Sequence, residues 1–446
     1  MKTIQIRKGY DLPISGEPVL SVAPSTPSVQ VASLPERIPF IKPRLKVKEG
    51  DAVQIGSVLF EDKRNPAVKF LSPGGGVITK IRFGKRRVIK EIIIDLDEQE
   101  QQVTFQSLPS FTIEQMTRAD LVNSILKGGL WSLFRGLPFY DYPDPESIPP
   151  VIVVNLDSKE PFQPRPEAYL EARADLLNYG IRVLNQLCDT VYLTVTDTYA
   201  AAEQWKDLTT HTVKGPYPAG EPGVLLYHIK RSPKDNRAWT ISGQNLLLLA
   251  DLLKNGRYPV ERTIVVAGIS APVPQHISTR IGIPLEQIAG ISKSAATGKR
   301  YITGGVFNGY RSDADAYLGF LETSLIILPE GDSPEMFGFA RPGLRKPSHS
   351  RAFLSALSNA KQPMDCGMHG ELRACVNCGY CADVCAVDIL PQFTLKSVLA
   401  GEVEEALAHG LLDCVACGLC TYVCPCKIDI QAQLKAAKEA YYKEIS

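Results

Sequence analysis

The stretch Cys375-Val-Asn-Cys378-Gly-Tyr-Cys381-Ala-Asp-Val-Cys385 returns further on as Cys414-Val-Ala-Cys417-Gly-Leu-Cys420-Thr-Tyr-Val-Cys424, followed at once by Pro425. Both quartets read C-x2-C-x2-C-x3-C. Cysteines at i, i+3 and i+6 of a tight loop put three thiolates on converging vectors, which suits three corners of a compact iron–sulfur cubane. The fourth cysteine of each quartet then serves the other cluster. On that rule one [4Fe-4S] cluster takes Cys375, Cys378, Cys381 and Cys424, and the second takes Cys414, Cys417, Cys420 and Cys385. Structural zinc is the competing reading, but zinc sites generally use separated C-x2-C pairs or Cys/His pairs around one tetrahedral ion. Two clusters imply a chain that moves electrons one at a time.

The remainder of the sequence bounds the setting. With 446 residues, 44% of them apolar, 22% charged, and a formal net charge of +1, the chain has room for three or four domains. Nothing in this balance points to nucleic acid. The charge is uneven, however: residues 37–90 hold 14 Lys/Arg against 4 Asp/Glu. Such a patch suits an acidic partner or anionic lipid headgroups, or is the solvated face of a strand-rich domain. The longest apolar runs, such as 151–154, 246–253 and 325–328, fall far short of the roughly 20 residues that span a bilayer. The N-terminal Met1-Lys-Thr-Ile-Gln-Ile-Arg-Lys-Gly9 alternates like a strand and lacks the apolar centre of a signal peptide. Only Cys188, Cys366 and Cys426 lie outside the quartets. Free thiols beside assembled clusters fit a reducing cytoplasm.

Residues 42–94 read as short β runs broken at glycines where turns need positive φ. The phrase Val47-Lys-Glu-Gly50-Asp-Ala-Val-Gln-Ile-Gly56-Ser-Val-Leu59 resembles the barrel-sandwich hybrid fold of lipoyl and biotinyl carriers. Where those carriers bear a modified lysine, this chain has Gly74-Gly75-Gly76, so no swinging cofactor is expected. Helix-like stretches at 113–127, 166–188 and 240–255 alternate with apolar strands at 150–155 and 191–195, the pattern of a parallel sheet covered on both faces. Residues 261–329 return to strands around a helix-like 273–281, and the phrase that ends in Gly304-Gly-Val-Phe-Asn-Gly309 resembles the β-grasp soluble-ligand-binding β domain. A Pro-, Gly- and Ser-rich linker follows at 334–360. The tail adds a helix-length segment at 395–412 and a closing helix from Ile430.

The expected organisation is a multidomain α/β and α+β chain: a barrel-sandwich-like β domain at 1–105, a Rossmann-like α/β domain at 106–258 and a β-grasp domain at 259–333. A linker at 334–365 then leads to a helical two-[4Fe-4S] ferredoxin-type module at 366–446.

Other chemistry has weaker support. A flavin or dinucleotide needs a glycine-rich turn at a helix N-terminus, and no G-x-G-x-x-G is present. The nearest candidate, Lys127-Gly128-Gly129-Leu130-Trp131, places bulky side chains where phosphate would approach; FMN and NADH are therefore not expected in this chain. His211, His228, His276, His349, His369 and His409 show no metal-binding spacing. His211 opens a stiff loop, His211-Thr-Val-Lys-Gly-Pro-Tyr-Pro-Ala-Gly220, of the kind that presents groups to a partner or small molecule. Cys366 and Cys426 read as incidental thiols rather than redox groups. No catalytic residue is assigned.

Several phrases together carry a resemblance. Ile6-Arg-Lys-Gly-Tyr-Asp-Leu-Pro-Ile-Ser-Gly16, Phe60-Glu-Asp-Lys-Arg-Asn-Pro66-Ala-Val-Lys-Phe70, Gly129-Leu-Trp-Ser-Leu-Phe-Arg135, Gly215-Pro-Tyr-Pro-Ala-Gly220 and Leu328-Pro-Glu-Gly331 resemble the A subunit of the sodium-translocating NADH:quinone oxidoreductase. The resemblance implies a peripheral subunit on the cytoplasmic face of the bacterial inner membrane, docked on the membrane-embedded B subunit and associated with quinone. Members of that family lack the double quartet. The tail, including Cys385-Ala-Val-Asp-Ile-Leu-Pro391-Gln and Asp413-Cys-Val-Ala-Cys-Gly418, instead resembles that of the C subunit of the Rnf complex, a ferredoxin:NAD oxidoreductase. The alternatives that follow are an Rnf-type electron-input subunit and a non-catalytic assembly scaffold.

Overall fold

Val151, Ile152, Val153 and Val154 are all buried, because their strand lies inside a sheet with both faces covered. The computed structural model describes residues 1–24, 27–200, 203–290, 297–331, 342–344, 346–350, 352–358 and 360–445. The strand Ile152–Asn155 pairs in parallel with Val191–Thr196 on one side and Trp239–Ser242 on the other. The sheet continues through His211–Lys214 to the N-terminal strand Lys2–Gln5, also in parallel, and is closed at its far edge by the short antiparallel Arg135–Gly136. On one face Ile152 and Val154 share a core with helices Ala174–Leu187 and Gly243–Asn255. On the other, Val151 and Val153 pack with helix Pro222–Ile229 and with Ala386, Val387 and Ile389 of the tail. The first cysteine quartet is thereby tied to the α/β sheet through its own apolar flank.

Glycines set how closely these layers approach. A Cβ at Gly180 would lie 2.8 Å from Leu246 Cγ, so the two core helices meet at a residue with no side chain. Gly128 and Gly129 play a related part: a Cβ there would meet Leu252 Cδ2 at 2.1 Å and Leu71 Cγ at 2.5 Å. Trp131 beside them is 1% exposed and donates its indole N–H to the carbonyl of Pro143 at 2.8 Å. This glycine pair is a packing device, since a side chain at either position would overlap its neighbour.

The barrel-sandwich hybrid domain consists of two small antiparallel sheets. One has the order Gln30–Ser33, Ile89–Leu96, Gly76–Phe83, Ala52–Val53; the other, Pro43–Leu45, Val58–Asp62, Lys69–Leu71. Val31, Ile78, Ile92 and Ile94 from the first face Leu59 and Phe60 from the second across one core. Gly74, Gly75 and Gly76 are buried, and a Cβ at Gly74 would strike Leu96 Cδ2 at 2.4 Å. The range 1–105 expected for this domain contains two strands that bond elsewhere. Lys2–Gln5 belongs to the α/β sheet, and Val19–Pro24 joins a third, mixed sheet of order Tyr310–Ser312, Lys299–Thr303, Ser324–Pro329, Glu261–Ala267, Gln275–Arg280, Val19–Pro24.

Several expected helices are corrected. The helix-like 273–281 is the strand Gln275–Arg280, which pairs over six residues with Glu261–Ala267; cross-strand partners on both sides override a weak helical pattern. The stretch 113–127 is split into Ser110–Gln115 and Arg118–Lys127, since the Thr117 hydroxyl accepts the Asp120 amide and starts a new helix. The stretch 166–188 breaks between Pro166–Leu170 and Ala174–Leu187, where Ala172 has φ 55°. The stretch 240–255 begins as a strand and turns helical at the Ser242 cap. The segment 395–412 divides at Gly401, which caps Pro391–Ala400 in the left-handed conformation before Val403–Ala408. The closing helix runs Ile430–Ile445. The expected linker lies partly outside the described residues; within it, Gln362 bonds Pro13 and Ser15 through its main chain. No helix among the described residues is long and apolar enough to cross a membrane.

Candidate cluster-binding site

The two cysteine loops repeat one backbone conformation at a constant offset of 39 residues, from Cys375 to Cys414 and from Cys385 to Cys424. Asn377 and Ala416 are left-handed (φ 56° and 54°), as are Gly379 and Gly418 (φ 85° and 82°) and Asp388 and Lys427 (φ 50° and 57°). Each glycine then opens a short helix, Tyr380–Asp383 or Leu419–Tyr422, that carries the third cysteine. Left-handed residues in such loops turn successive amides inward, forming a concavity suited to negative charge. The amides of Ala416 and Leu419 bond the thiols of Cys414 and Cys417, and those of Val387 and Ile389 bond Cys385.

A cavity opens between the loops, lined by Cys381, Cys385, Cys414, Cys417 and Cys420 together with Pro218. Cys385 lies close enough to Cys414, Cys417 and Cys420 for their charges to interact. The last cysteine of the first quartet is thus brought to the second loop. Cys424 packs against the small core that holds Cys381, beside Leu395 and Leu434, and Cys378 interacts with Cys381. Cys375 and Cys378 are exposed, whereas Cys381 is buried. Among the described residues, no three Cys, His, Asp or Glu side chains are drawn tightly enough around one point to hold a single metal ion.

Burial pushes the Cys385 thiol up to about 11 and holds Cys414, Cys417 and Cys420 above the ordinary thiol range. Neutral thiols in an apolar pocket with amides aimed at sulfur fit a cubane well. A bound cluster would supply the positive charge that ionises them, and these amides would then stabilise the anionic sulfurs.

Three elements hold the two cysteine loops in place. From the closing helix, the half-buried Lys438 donates to the carbonyls of Cys414 at 2.7 Å and Leu412 at 3.3 Å, and Gln431 donates to the carbonyl of Ala416. Burial lowers the pKa of Lys438, while the nearby Cys414 and Glu221 pull it back up. From the α/β domain, Tyr217 donates to the Cys417 carbonyl at 2.7 Å, and the His228 ring bonds the Ala386 carbonyl at 2.9 Å. From the mixed sheet, Phe307 stacks on Tyr217 with centroids 4.9 Å apart. Glu160 fixes the Phe307 loop by accepting the amides of Phe307 at 2.9 Å and Asn308 at 3.1 Å.

The sequence did not mark Tyr217, Lys438, His228 or Gln431. The only signal was the stiff loop after His211, whose first four residues are a strand and whose remainder presents Tyr217 and Pro218 to the cysteine loops. The histidines are scattered. His211 packs on Tyr192, His276 bonds the Val19 carbonyl at 2.7 Å, His349 lies against Tyr10 and Tyr380, His369 meets Asp365 at 2.8 Å, and His409 meets Ser397 at 3.2 Å. Cys188 is buried with its sulfur 3.2 Å from the Pro149 carbonyl, Cys426 is buried, and Cys366 packs at the edge of the mixed-sheet core.

A barrel-sandwich domain, an α/β domain and paired cysteine loops lie in one polypeptide, which makes it a multidomain chain with a cysteine-rich tail. Three families match in that order: the NqrA N-terminal barrel-sandwich hybrid domain at 4–97, the NqrA second alpha/beta domain at 116–258 and a 4Fe-4S dicluster domain at 374–428. The chain is similar to the A subunit of the Na(+)-translocating NADH-quinone reductase of Pseudomonas aeruginosa, 32% identical over 412 residues, and to that of Klebsiella pneumoniae, 31% identical over 421 residues; each match covers 92% of both chains. The chain belongs to this family of NADH-quinone reductase A subunits. A chain of an NAD+-reducing [NiFe]-hydrogenase aligns with a TM-score of 0.36 and 13% identity over 77% of this chain and 72% of that one. That likeness is too distant to carry an argument.

Proposed function

We propose that this chain is a peripheral electron-transfer subunit of a sodium-translocating NADH:quinone oxidoreductase, docked on the membrane-embedded B subunit at the cytoplasmic face. Two [4Fe-4S] clusters would sit in its tail, one on Cys375, Cys378, Cys381 and Cys424 and one on Cys414, Cys417, Cys420 and Cys385. Quinone reduction and sodium transport belong to the whole complex, to which this chain contributes. The mixed sheet with helix Leu285–Ala289 is read as a β-grasp domain at 259–333, and 366–446 as a ferredoxin-type module.

The observation that carries the reading is the placement of Cys385 beside Cys414, Cys417 and Cys420, the crossing that two adjacent cubanes require. When bound, such clusters supply one-electron redox chemistry. The chain's own residues set their surroundings: inward amides, apolar walls, and Lys438 and Tyr217 gripping the second loop from behind. With Cys375 and Cys378 exposed and the second loop packed against the α/β domain, a cluster on the first loop would lie toward solvent and one on the second toward the body of the protein.

Cys417→Ser and Cys385→Ser test this. In anaerobically reconstituted protein, both should lose the charge-transfer absorption and iron of the same single cluster, and Cys424→Ser should lose the other. Unchanged iron content in Cys417→Ser defeats the assignment, and loss of different clusters in Cys385→Ser and Cys417→Ser defeats the crossing.

A further inference from the structure

The hairpin of strands Gly76–Phe83 and Ile89–Leu96 ends in the turn Gly84-Lys85-Arg86-Arg87-Val88, whose residues 85–88 are all exposed. The turn is closed by the Gly84 amide donating to the Val88 carbonyl at 2.7 Å and the Val88 amide donating to the Lys85 carbonyl at 3.3 Å. Arg86 and Arg87 are consecutive left-handed residues, φ 56° and 60°. That pairing belongs to a type I′ turn, where Asn-Gly is favoured and a bulky side chain is strained. Two arginines therefore hold positions that local backbone preference would give to other residues. Strain kept in a turn points to a use for the side chains that cause it.

The charge around them has one sign. Residues 80–90 carry Lys80, Arg82, Lys85, Arg86, Arg87 and Lys90 and no acid. The acids close by are occupied: Glu91 pairs with Arg82 at 2.9 Å, and Glu49 accepts the Ile81 amide at 2.8 Å. The turn is also flanked by apolar side chains, Phe83 at 54% and Val88 at 46% exposed, while Ile78, Ile81, Ile89 and Ile92 of the same strands are buried. The cations and the exposed apolar side chains thus share one tip. A bilayer interface takes both, with headgroup phosphates against the cations and apolar side chains at the acyl boundary.

We propose that the 83–88 tip of this hairpin is a direct anchor to anionic phospholipid, so that the protein touches the membrane itself as well as its partner subunits. This inference is independent of cluster ligation. The test is flotation of the full chain with vesicles of phosphatidylcholine alone and of phosphatidylcholine with phosphatidylglycerol. Binding is expected only with phosphatidylglycerol and should weaken as salt rises. The double variant Arg86→Asn/Arg87→Gly should bind about 30-fold more weakly, yet unfold at the same or a higher temperature, because Asn-Gly suits the turn. Phe83→Ser should also weaken binding to these vesicles. Failure of the full chain to bind phosphatidylglycerol vesicles, equal binding to both vesicle types, or full binding by the double variant overturns the proposal and returns the cations to an acidic protein partner.

Discussion

The phenol of Tyr217 donates a hydrogen bond to the main-chain carbonyl of Cys417 at 2.7 Å, fastening a loop of the α/β domain directly to the second cysteine loop. Tyr217 is 2% exposed, its ring is stacked on Phe307 from the mixed sheet, and its hydroxyl is 3.3 Å from Asn308 Nδ2. Three parts of the chain remote in sequence therefore meet at one side chain.

Removal of that hydroxyl is the sharpest probe of the junction. Tyr217→Phe keeps the stacking but leaves a buried carbonyl without its partner, at a cost of about 1–3 kcal/mol. Urea unfolding of the reconstituted protein, followed by cluster absorbance, should show a lower midpoint for the tail. An unchanged midpoint would mean that the closing helix alone holds the loop.

Asp157 gives a pH signature. It is 6% exposed and accepts bonds from the Thr196 amide at 2.8 Å and from the Thr196 hydroxyl; burial pushes its carboxyl from 3.8 up to about 6. The folded state thus holds this proton more tightly than the unfolded state. The proton's contribution to stability is fully present below pH 4, is lost between pH 4 and 6, and is absent above. The linkage amounts to about 3 kcal/mol. Asp157→Asn keeps an acceptor for the Thr196 amide and cannot ionise. The stability of the variant relative to the natural chain should therefore rise by that amount between pH 4 and 7 in parallel denaturant titrations; a pH-independent difference would show that Asp157 titrates normally.

Gly128→Ala tests whether the glycine pair after helix Arg118–Lys127 is a packing device. The new methyl would lie 2.1 Å from Leu252 Cδ2, and overpacking of this kind costs about 1–3 kcal/mol. Adding Leu252→Ala should relieve the clash, so the double variant should lose less than the sum of the two single ones in thermal unfolding. Strict additivity would show that the two side chains do not compete for that space.

Much of this architecture was legible because the patterns are local. Glycines at 50 and 56 placed the barrel-sandwich turns, and both are left-handed. Apolar runs at 150–155 and 191–195 gave the central parallel strands, because a strand buried on both faces leaves a continuous hydrophobic signature. The misplaced strands have a common cause, whereas the split helices were broken by local caps such as Thr117 and Gly401. Residues 273–281 form a strand only because Glu261–Ala267 and Val19–Pro24 flank them, and no periodicity within the segment records those partners. The N-terminal strand was likewise legible as a strand, but not as the edge of a sheet whose neighbour is His211–Lys214.

The cysteine spacing alone pointed to the redox-active character proposed for the tail, since three thiols in seven residues, repeated with a fourth at a fixed distance, suit a compact inorganic core better than separated pairs around one zinc ion. Short-range chain geometry is written into such a motif, which needs nothing distant to be recognised. What surrounds the thiols was decided by tertiary structure. Tyr217, His228, Lys438 and Phe307 come from four separate segments, and their meeting depends on how sheets and helices stack. Packing joins residues by shape and burial over long stretches of chain, and neither quantity is encoded at any one position.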